Sequence, residues 1–270
     1  MNLKIHPPIR IAILECDTPL PKTKERFQGY GGVFELLLRS SAKALNRPEL
    51  DPEKGLEISK FQLESDPDNY PDPETIDAIL ITGSRTNGNW RELRLTKVEH
   101  DSFANTPWIN RLVEYTEKLL SETHVRIIGV CFGHQIVGRA LKAGVGRNPE
   151  GWEAAVNNID LSAKGKELFG VEKLRLHQMH RDCVFYYPEG VEELGSSPVC
   201  KVQGMYSPKR LMTVQGHPEF NQDIMREIVN TRHATGVFDD EAFNNHITKV
   251  NLPHDGLIVG QAFLKFLLEQ

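Results

Sequence analysis

The sequence predicts an α/β protein in which a central, mostly parallel sheet carries helices on both faces. Short apolar runs with the length of buried strands occur at residues 9–14, 76–81 and 125–130. Segments with apolar residues at three- and four-residue spacing, at 34–45 and 108–120, lie between these runs and indicate helices. Strands and helices that alternate along a chain are typical of parallel strands joined by crossover helices.

The remaining elements extend this pattern. The run 56–63 alternates like a strand, the Pro-rich run 66–74 is a loop, and 135–142 is a helix. In the second half, strands are predicted at 155–161, 172–177, 199–206 and 211–215, and helices at 224–232, 241–250 and 256–268. Because no internal repeat, low-complexity tract or linker interrupts the chain, we expect residues 1–270 to form a single domain with a helical C-terminal extension from about residue 238.

Composition and charge narrow the class of protein. The formal net charge of -5 gives no support for a nucleic-acid or anionic-membrane partner. No apolar run approaches the roughly 20 residues that span a bilayer, and the first residues lack the features of a secretory signal. The cysteines, at positions 16, 131, 183 and 200, lack the paired spacing of a zinc or disulfide site. We therefore expect a cytoplasmic protein with free thiols and with neither a nucleic-acid nor a membrane partner.

The turn that contains Cys131 has the features of a nucleophile turn. Cys131 directly follows the strand 125–130, and glycines stand two residues before it and two residues after it. Small neighbours are needed where a strand turns sharply into a helix, because the backbone is strained and other chain segments approach closely. The following helix N-terminus favours the thiolate, and its N–H groups, notably that of Phe132, can stabilise an oxyanion. Taken alone, the turn fits a small buried side chain equally well.

A cysteine nucleophile needs a histidine within reach and a third group that orients the imidazole. The strand 211–215 is followed by Gly-His-Pro-Glu, which contains His217 and Glu219. The proline stiffens this segment, so the His217 ring and the Glu219 carboxylate can be held in one plane, with Glu219 accepting from the ring N–H. Taken alone, these four residues also fit a surface turn.

Together the two segments resemble the class I, triad-type glutamine amidotransferase family. The resemblance rests on residues 129–135, Gly-Val-Cys-Phe-Gly-His-Gln, and on residues 216–219, Gly-His-Pro-Glu, whose order and separation match the family. Supporting similarities lie at 79–84, 107–109 and 179–182, so the resemblance covers most of the chain, from about residue 9 to 232. It implies a flavodoxin-like three-layer sandwich and points to the stand-alone branch that includes γ-glutamyl peptidases.

The resemblance also implies a role for individual residues. Cys131 is the implied nucleophile, His217 the base and Glu219 the residue that orients the base. The other implied site residues are the backbone oxyanion donors Gly83 and Phe132 and the substrate neighbours Gln135, His180 and Asp182. In the family, the side-chain amide of glutamine forms a γ-glutamyl thioester on the cysteine and releases ammonia, and the thioester is then hydrolysed.

Two segments depart from the family pattern. The loop 84–90 is longer and more polar than the tight Gly-Gly turn of biosynthetic members. The sequence Met-His-Arg-Asp at 179–182 puts Arg181 where the family has a glycine. Two roles for Arg181 remain open: either it binds a carboxylate, or its side chain faces solvent. Both departures favour a different or larger γ-glutamyl substrate than free glutamine.

Other candidate sites have weaker signals. His177 and His180 stand three residues apart, but no third ligand lies nearby in the sequence, and we expect no metal site. Glu15 ends the first strand at the same edge as Cys131 and is a minor site candidate, for which loop capping is the simpler role. The glycines at 29–32 lack the Lys-Ser/Thr pair of a P-loop, so we expect no bound nucleotide and no cofactor.

Three functions remain open at this point. The preferred one is a stand-alone hydrolase of small-molecule γ-glutamyl amides, because no ATP-binding signature is present to activate an ammonia acceptor. The second is the glutaminase subunit of a separate, ammonia-accepting synthetase. The third is a non-catalytic binding or redox-sensing protein on the same fold. The presence of all three triad residues, Cys131, His217 and Glu219, argues against it.

Overall fold

The computed structural model describes residues 5–84 and 100–270, and its central element is a nine-stranded sheet. In chain order the strands are β1 (Ile9–Glu15), β2 (Leu56–Gln62), β3 (Ala78–Ile81), β4 (Arg126–Val130), β5 (Val145–Arg147), β6 (Glu153–Leu161), β7 (Lys173–His180), β8 (Asp182–Val184), β9 (Glu192–Ser196), β10 (Gly204–Ser207) and β11 (Leu211–Val214). Across the large sheet the order is β2-β1-β3-β4-β11-β10-β9-β6-β7, while β5 and β8 form a separate two-stranded ribbon.

Eight α-helices occur in the described residues. They are α1 (Pro21–Phe27), α2 (Tyr30–Leu45), α3 (Pro107–Glu122), α4 (Phe132–Ala140), α5 (Ala163–Phe169), α6 (Gln222–Ala234), α7 (Asp240–Lys249) and α8 (Gly256–Leu267). A short 3₁₀ turn at Pro73–Thr75 lies in the predicted Pro-rich loop. None of these helices combines the length and the apolar character needed to cross a bilayer.

The sheet has a parallel half and an antiparallel half. The strands β2, β1, β3, β4 and β11 are all paired in parallel. The strands β10, β9, β6 and β7 extend the sheet with antiparallel pairings. The predicted α/β class, with a mostly parallel central sheet and helices on both faces, is confirmed. Four of the five parallel strands, β1 to β4, come from the stretch of chain where strands and helices alternate.

Both faces of the parallel strands are buried, which is why these strands read as continuous apolar runs. On β1, Ile11 and Ile13 point into one hydrophobic cluster and Ala12 and Leu14 into the other. The first cluster is closed by α2 and α8, and the second by α3 and α4. The two layers of helices therefore hold the sheet edge rigidly at the point where β4 enters α4.

The C-terminal helices are integral to this packing. Helix α8 contributes Phe263, Leu264 and Leu267 to the first cluster, and all three side chains are fully buried. The side chain of Arg126, at the start of β4, donates to the backbone carbonyls of Phe266 and Glu269. Helices α6 and α7 form a third apolar cluster over the end of β6 and β7. The predicted C-terminal helical extension thus includes a helix of the main core.

Five elements were absent from the sequence prediction, and each has a physical reason. Strands β5 and β8 span only three residues each. Helix α1 begins at Pro21 and is almost wholly polar, so it has no apolar periodicity to detect. Helix α5 spans only seven residues, and the short strand β9 has two exposed glutamates at its start. Strand β10 begins at Gly204 rather than at the predicted residue 199, because the chain before it turns through hydrogen bonds between Ser197 and Cys200.

Candidate active site

Neighbouring parallel strands bring Cys131 and His217 to one edge of the sheet. β4 and β11 are paired with Val130 opposite Val214, so both strands end at the same level. The N–H of Cys131 donates to the Val214 carbonyl at 3.0 Å. The N–H of His217, three residues beyond β11, donates to the His177 carbonyl of β7 at 2.7 Å. Both side chains therefore start from positions that the sheet fixes.

Cys131 has an unusual backbone conformation at the junction of β4 and α4. Its φ of 52° and ψ of -102° lie in a region that non-glycine residues rarely occupy, at a cost of roughly 1–3 kcal/mol. The flanking glycines allow this turn: a Cβ on Gly133 would lie 2.2 Å from the Ile81 carbonyl oxygen, and one on Gly129 would lie 2.8 Å from the Gly133 oxygen. Because α4 begins at Phe132, the N–H groups of its first turn lie beside Cys131, and that of Gly133 donates to the Thr82 carbonyl at 3.2 Å.

His217 is held by contacts on several sides. Its Nδ1 lies 2.7 Å from Glu219 Oε1, which leaves Nε2 for the Cys131 side chain, also a hydrogen-bond partner of the ring. The ring stacks on Phe220 with centroids 4.0 Å apart and an interplanar angle of 4°. A Cβ on Gly83 would lie 2.7 Å from His217 Cε1 and 3.7 Å from Cys131 Cβ. The structure thus brings Cys131, His217, Glu219 and Gly83 together, with the three side chains buried.

The charges around His217 determine its protonation. Burial alone would lower the pKa of His217, but the Glu219 carboxylate and the Cys131 side chain outweigh it and raise that pKa to about 10. The ring is therefore an imidazolium at neutral pH. An imidazolium beside a cysteine favours the thiolate, which is the nucleophilic form of that residue.

The other three predicted site residues form a buried network behind this cluster. Gln135 Nε2 donates to the Asp182 carbonyl at 2.8 Å and to Gln215 Oε1 at 3.0 Å. Both ring nitrogens of His180 are engaged, Nδ1 with the Asp182 carbonyl at 3.0 Å and Nε2 with Glu153 Oε2 at 3.1 Å. The side chains of Gln135 and His180, which both bond to the backbone carbonyl of Asp182, therefore connect α4, β6, β7 and β8.

Asp182 is the most electrostatically perturbed member of this network. Its carboxylate lies 2.9 Å from Arg147, whose guanidinium also pairs with Asp101 at 2.8 Å. Burial raises the pKa of Asp182 to about 7, against the opposing influence of Arg147. Arg181 is half-buried, and its carbonyl accepts from the Asn148 N–H at 2.7 Å.

A cleft opens directly beside His217. Its free space measures about 700 Å³, counting the part that is continuous with solvent. The described residues that line it are Asp17, Thr18, Leu20, Tyr30, Gly83, Ser84, Met179, His217, Phe220, Ile228, Thr231, Arg232 and Thr235. Gly83 and His217 are the predicted site residues in this lining. Arg181 is outside it, and so are the other predicted site residues: Cys131, Phe132, Gln135, His180, Asp182 and Glu219.

Most of the cleft wall was not found by sequence reasoning. Helix α6 contributes three lining residues and its C-cap Thr235 a fourth, and the chain after β1 contributes three. The only sequence signal in α6 is its helical spacing, with residues 228, 231, 232 and 235 on one face. The loop 84–90 was singled out by its polarity; Ser84 lines the cleft, and residues 85–90 lie outside the described residues.

The remaining sequence candidates have structural partners. Glu15 Oε2 accepts from the Gly31 N–H at 2.7 Å, so this carboxylate caps the start of α2. His177 is fully buried, with its ring 4.7 Å from that of His254. Among the described residues, Asp17, Glu64 and His100 bring three potential metal-ligating atoms within 4.8 Å of one another. All three are engaged in other contacts of the chain, including a 2.8 Å bond between His100 Nδ1 and Ser84 Oγ.

Comparisons with known proteins relate the chain to glutamine amidotransferase-like proteins. The sequence profile of the family "Glutamine amidotransferase class-I" matches residues 103–232. A glutamine amidotransferase-like protein of Schizosaccharomyces pombe is 31% identical over 263 residues, which cover 96% of this chain and 98% of the relative. Gamma-glutamyl peptidase 4 of Arabidopsis thaliana is 30% identical over 220 residues, 79% of this chain and 76% of the relative.

A solved structure supports the same fold. The crystal structure of a glutamine amidotransferase from Thermotoga maritima superposes with a TM-score of 0.67 at 14% identity, and the match covers 97% of this chain and 99% of the other. At that identity the likeness concerns the fold alone. The near-complete coverage of the S. pombe relative, together with the family profile, shows that the chain belongs to the class I glutamine amidotransferase family.

Proposed function

We propose that the chain is a cysteine-dependent hydrolase of γ-glutamyl amides that acts through a γ-glutamyl thioester on Cys131. The observation that carries the proposal is the convergence of Cys131, in its strained turn at the start of α4, with the hydrogen-bonded pair His217 and Glu219. A nucleophile, a base and a residue that orients the base form the arrangement on which acyl transfer by a cysteine depends.

The first half of the reaction forms the thioester. The Cys131 proton already resides on His217 Nε2 in the ion pair of these two side chains, and the sulfur attacks the carbonyl carbon of the γ-glutamyl amide to form a C–S bond. The backbone N–H groups of Phe132 and Gly83 stabilise the resulting oxyanion. The C–N bond then breaks, and His217 gives its proton to the departing amine.

The second half releases glutamate. A water molecule gives a proton to His217 Nε2 and attacks the thioester carbonyl, and the same N–H groups stabilise the second oxyanion. The C–S bond breaks, the γ-carboxylate of glutamate leaves, and the cysteine returns to its starting state. Throughout, Glu219 holds the ring orientation through Nδ1, so that Nε2 faces the sulfur.

Two features favour a γ-glutamyl conjugate over free glutamine as the substrate. The relatives with 29–34% identity to this chain include four of Arabidopsis thaliana that are named gamma-glutamyl peptidases. The cleft beside His217 extends along helix α6, which provides room for a leaving group larger than ammonia.

The experiment is a substrate panel with separate detection of ammonia and of the released amine. Glutamine, γ-glutamylglycine and glutathione are each incubated with the wild-type chain and with Cys131→Ala. We expect the wild type to release glycine or cysteinylglycine, and Cys131→Ala to lose all turnover. Full turnover by Cys131→Ala would contradict the assignment of the nucleophile.

The same panel distinguishes the alternative functions. Ammonia release from glutamine, with no cleavage of the peptides, would favour a glutaminase subunit that supplies a separate synthetase. A γ-glutamyl adduct on Cys131, trapped by acid quench and located by peptide mass spectrometry, would support the thioester. Absence of both turnover and adduct across the panel would favour the non-catalytic protein.

A further inference from the structure

Arg232 brings a positive charge to the wall of the cleft. It lies on α6 with Ile228 and Thr231, on the same face as the C-cap residue Thr235. Within the lining formed by the described residues, Arg232 is the only arginine or lysine. The lining also contains Asp17 and His217, and its other side chains are neutral.

An aromatic surface supports the Arg232 guanidinium. Its central carbon lies 5.2 Å from the centroid of the Trp152 ring, which packs edge-on against the buried Phe238 at 5.4 Å. A guanidinium that rests on an aromatic ring keeps its N–H groups in its own plane, where they can form two parallel bonds to a carboxylate. Because Trp152 restricts the side chain, less conformational entropy is lost when it binds a ligand.

We propose that Arg232 binds a carboxylate of the γ-glutamyl substrate. The inference rests on the proposed hydrolase activity. In that reaction Cys131 and His217 act only on the amide, so recognition of the rest of the substrate requires other residues. Every γ-glutamyl amide carries an α-carboxylate, and a γ-glutamyl dipeptide carries a second carboxylate on its leaving amino acid. Arg181, the arginine that the sequence offered for this role, is outside the cleft lining.

The experiment measures binding separately from turnover. The full-length Cys131→Ala variant is titrated by calorimetry with γ-glutamylglycine, with its analogue in which the glutamyl α-carboxylate is a carboxamide, and with its glycinamide analogue. Adding Arg232→Gln should raise the Kd of γ-glutamylglycine about 10- to 100-fold. In the Cys131→Ala variant, the Kd of the analogue that lacks the recognised carboxylate should be higher than that of γ-glutamylglycine by a similar factor. Adding Arg232→Gln should not raise the Kd of this analogue further. Which analogue behaves in this way identifies the carboxylate.

A matched control lies on the same helix. Arg226 is outside the cleft lining and donates to Asn251 at 2.8 Å, so Arg226→Gln should leave all three Kd values unchanged. Arg232→Lys keeps the charge but loses the bidentate geometry, and its Kd should lie between those of wild type and Arg232→Gln. Three results would overturn the inference. They are an unchanged Kd for γ-glutamylglycine with Arg232→Gln, an equal rise in the Kd of all three compounds, and no binding of γ-glutamylglycine by Cys131→Ala.

Turnover tests the proposed function independently. If the wild type cleaves γ-glutamylglycine and Arg232→Gln has the same kcat/KM, the inference fails and the proposed function stands. If γ-glutamylglycine binds in an Arg232-dependent way but the wild type never cleaves it, the proposed hydrolase fails and the binding site stands. For an active enzyme we expect the loss with Arg232→Gln mainly in KM, since Arg232 contacts a part of the substrate that does not react.

Discussion

At the scale of single residues, the site depends on a histidine that stays charged although it is buried. Burial disfavours an imidazolium, so His217 keeps its proton only because Glu219 and Cys131 offer negative charge on either side of the ring. The raised pKa of His217 means that protonation of this ring stabilises the folded state. The stabilisation is complete below about pH 6.5, where the unfolded histidine is also protonated, and it is lost as the pH rises through about 10.

The first prediction concerns Glu219→Gln. Glutamine keeps the size of the side chain but removes its charge, so burial should pull the pKa of His217 far below its present value. In the wild type, the imidazole ¹⁵N signals of labelled histidine should show a protonated His217 at pH 8, and in Glu219→Gln they should show a neutral one. If His217 acts as the base, kcat should also fall by about 10²–10⁴-fold.

A control for this prediction is Glu241→Gln at an exposed position of α7. It removes the same charge far from the ring and should change neither the His217 signals nor turnover. A His217 that remains protonated at pH 8 in Glu219→Gln would show that Glu219 is not the source of the raised pKa.

At the scale of secondary-structure elements, the start of α1 is joined to α6, a helix that lines the cleft. Helix α1 begins after Leu20, which cannot cap it, with Pro21 at its first position. Glu227 of α6 supplies the missing acceptor: its carboxylate takes the N–H of Lys22 at 2.9 Å, the N–H of Thr23 at 3.0 Å and the Thr23 hydroxyl at 2.7 Å. A negative charge at a helix N-terminus is also favoured by the helix dipole.

The second prediction follows from this contact. Glu227→Ala should lower the free energy of unfolding by about 1–2 kcal/mol, because three donors at the start of α1 lose their acceptor. Chemical denaturation monitored by circular dichroism measures this change. Arg26 and Asp223 form a second link between the same helices, but both side chains are more than half exposed, so Asp223→Ala should cost less. An equal or larger loss for Asp223→Ala would contradict the capping role of Glu227.

At the scale of the whole molecule, the parts of the site differ in how far sequence could predict them. Cys131 lies in one contiguous segment, and His217 and Glu219 lie in another, each directly after a strand with a clear apolar run. Strand, turn and nucleophile are local features, so a short window of sequence contains the whole signal. The parallel pairing of β4 with β11 then accounts for their meeting in space.

The cleft could not be predicted in the same way. Asp17 and Arg232 line one cleft although more than 200 residues separate them in the chain, and their proximity depends on how α6 packs over the sheet edge. Helix α1 was overlooked for a related reason, since its stability comes from Glu227 and not from an apolar face of its own. Residues that act through tertiary contacts leave no periodic signal in their own segment.

The third prediction tests whether the C-terminal helix belongs to the main core. Phe263 of α8 is fully buried in the cluster that also contains residues of β1 and α2. Phe263→Ala should lower the free energy of unfolding by about 3–5 kcal/mol through lost burial and a new cavity. Leu257→Ala on the same helix is the control, since Leu257 is 45% exposed and should have little effect. A loss for Phe263→Ala as small as that for Leu257→Ala would mean that α8 is not part of the cooperative unit.

The last prediction concerns stability in acid. Burial, with smaller contributions from His254 and His217, lowers the pKa of His177 to about 3. In the unfolded chain, His177 takes up a proton as the pH falls below about 6.5. In the folded chain it stays neutral down to about pH 3, so the folded state loses stability between these two pH values. In His177→Leu this contribution is absent.

The slope of unfolding free energy against pH should therefore be smaller in His177→Leu than in the wild type, by about 1.4 kcal/mol per pH unit between roughly pH 3.5 and 6. Urea denaturation at a series of pH values measures both slopes, and the carboxylates shared by the two proteins cancel in the comparison. Val156 lies opposite His177 in the pairing of β6 with β7, and Val156→Ala should shift stability by the same amount at every pH. Parallel curves for the wild type and His177→Leu would mean that the buried ring is protonated in the folded state as readily as in the unfolded chain.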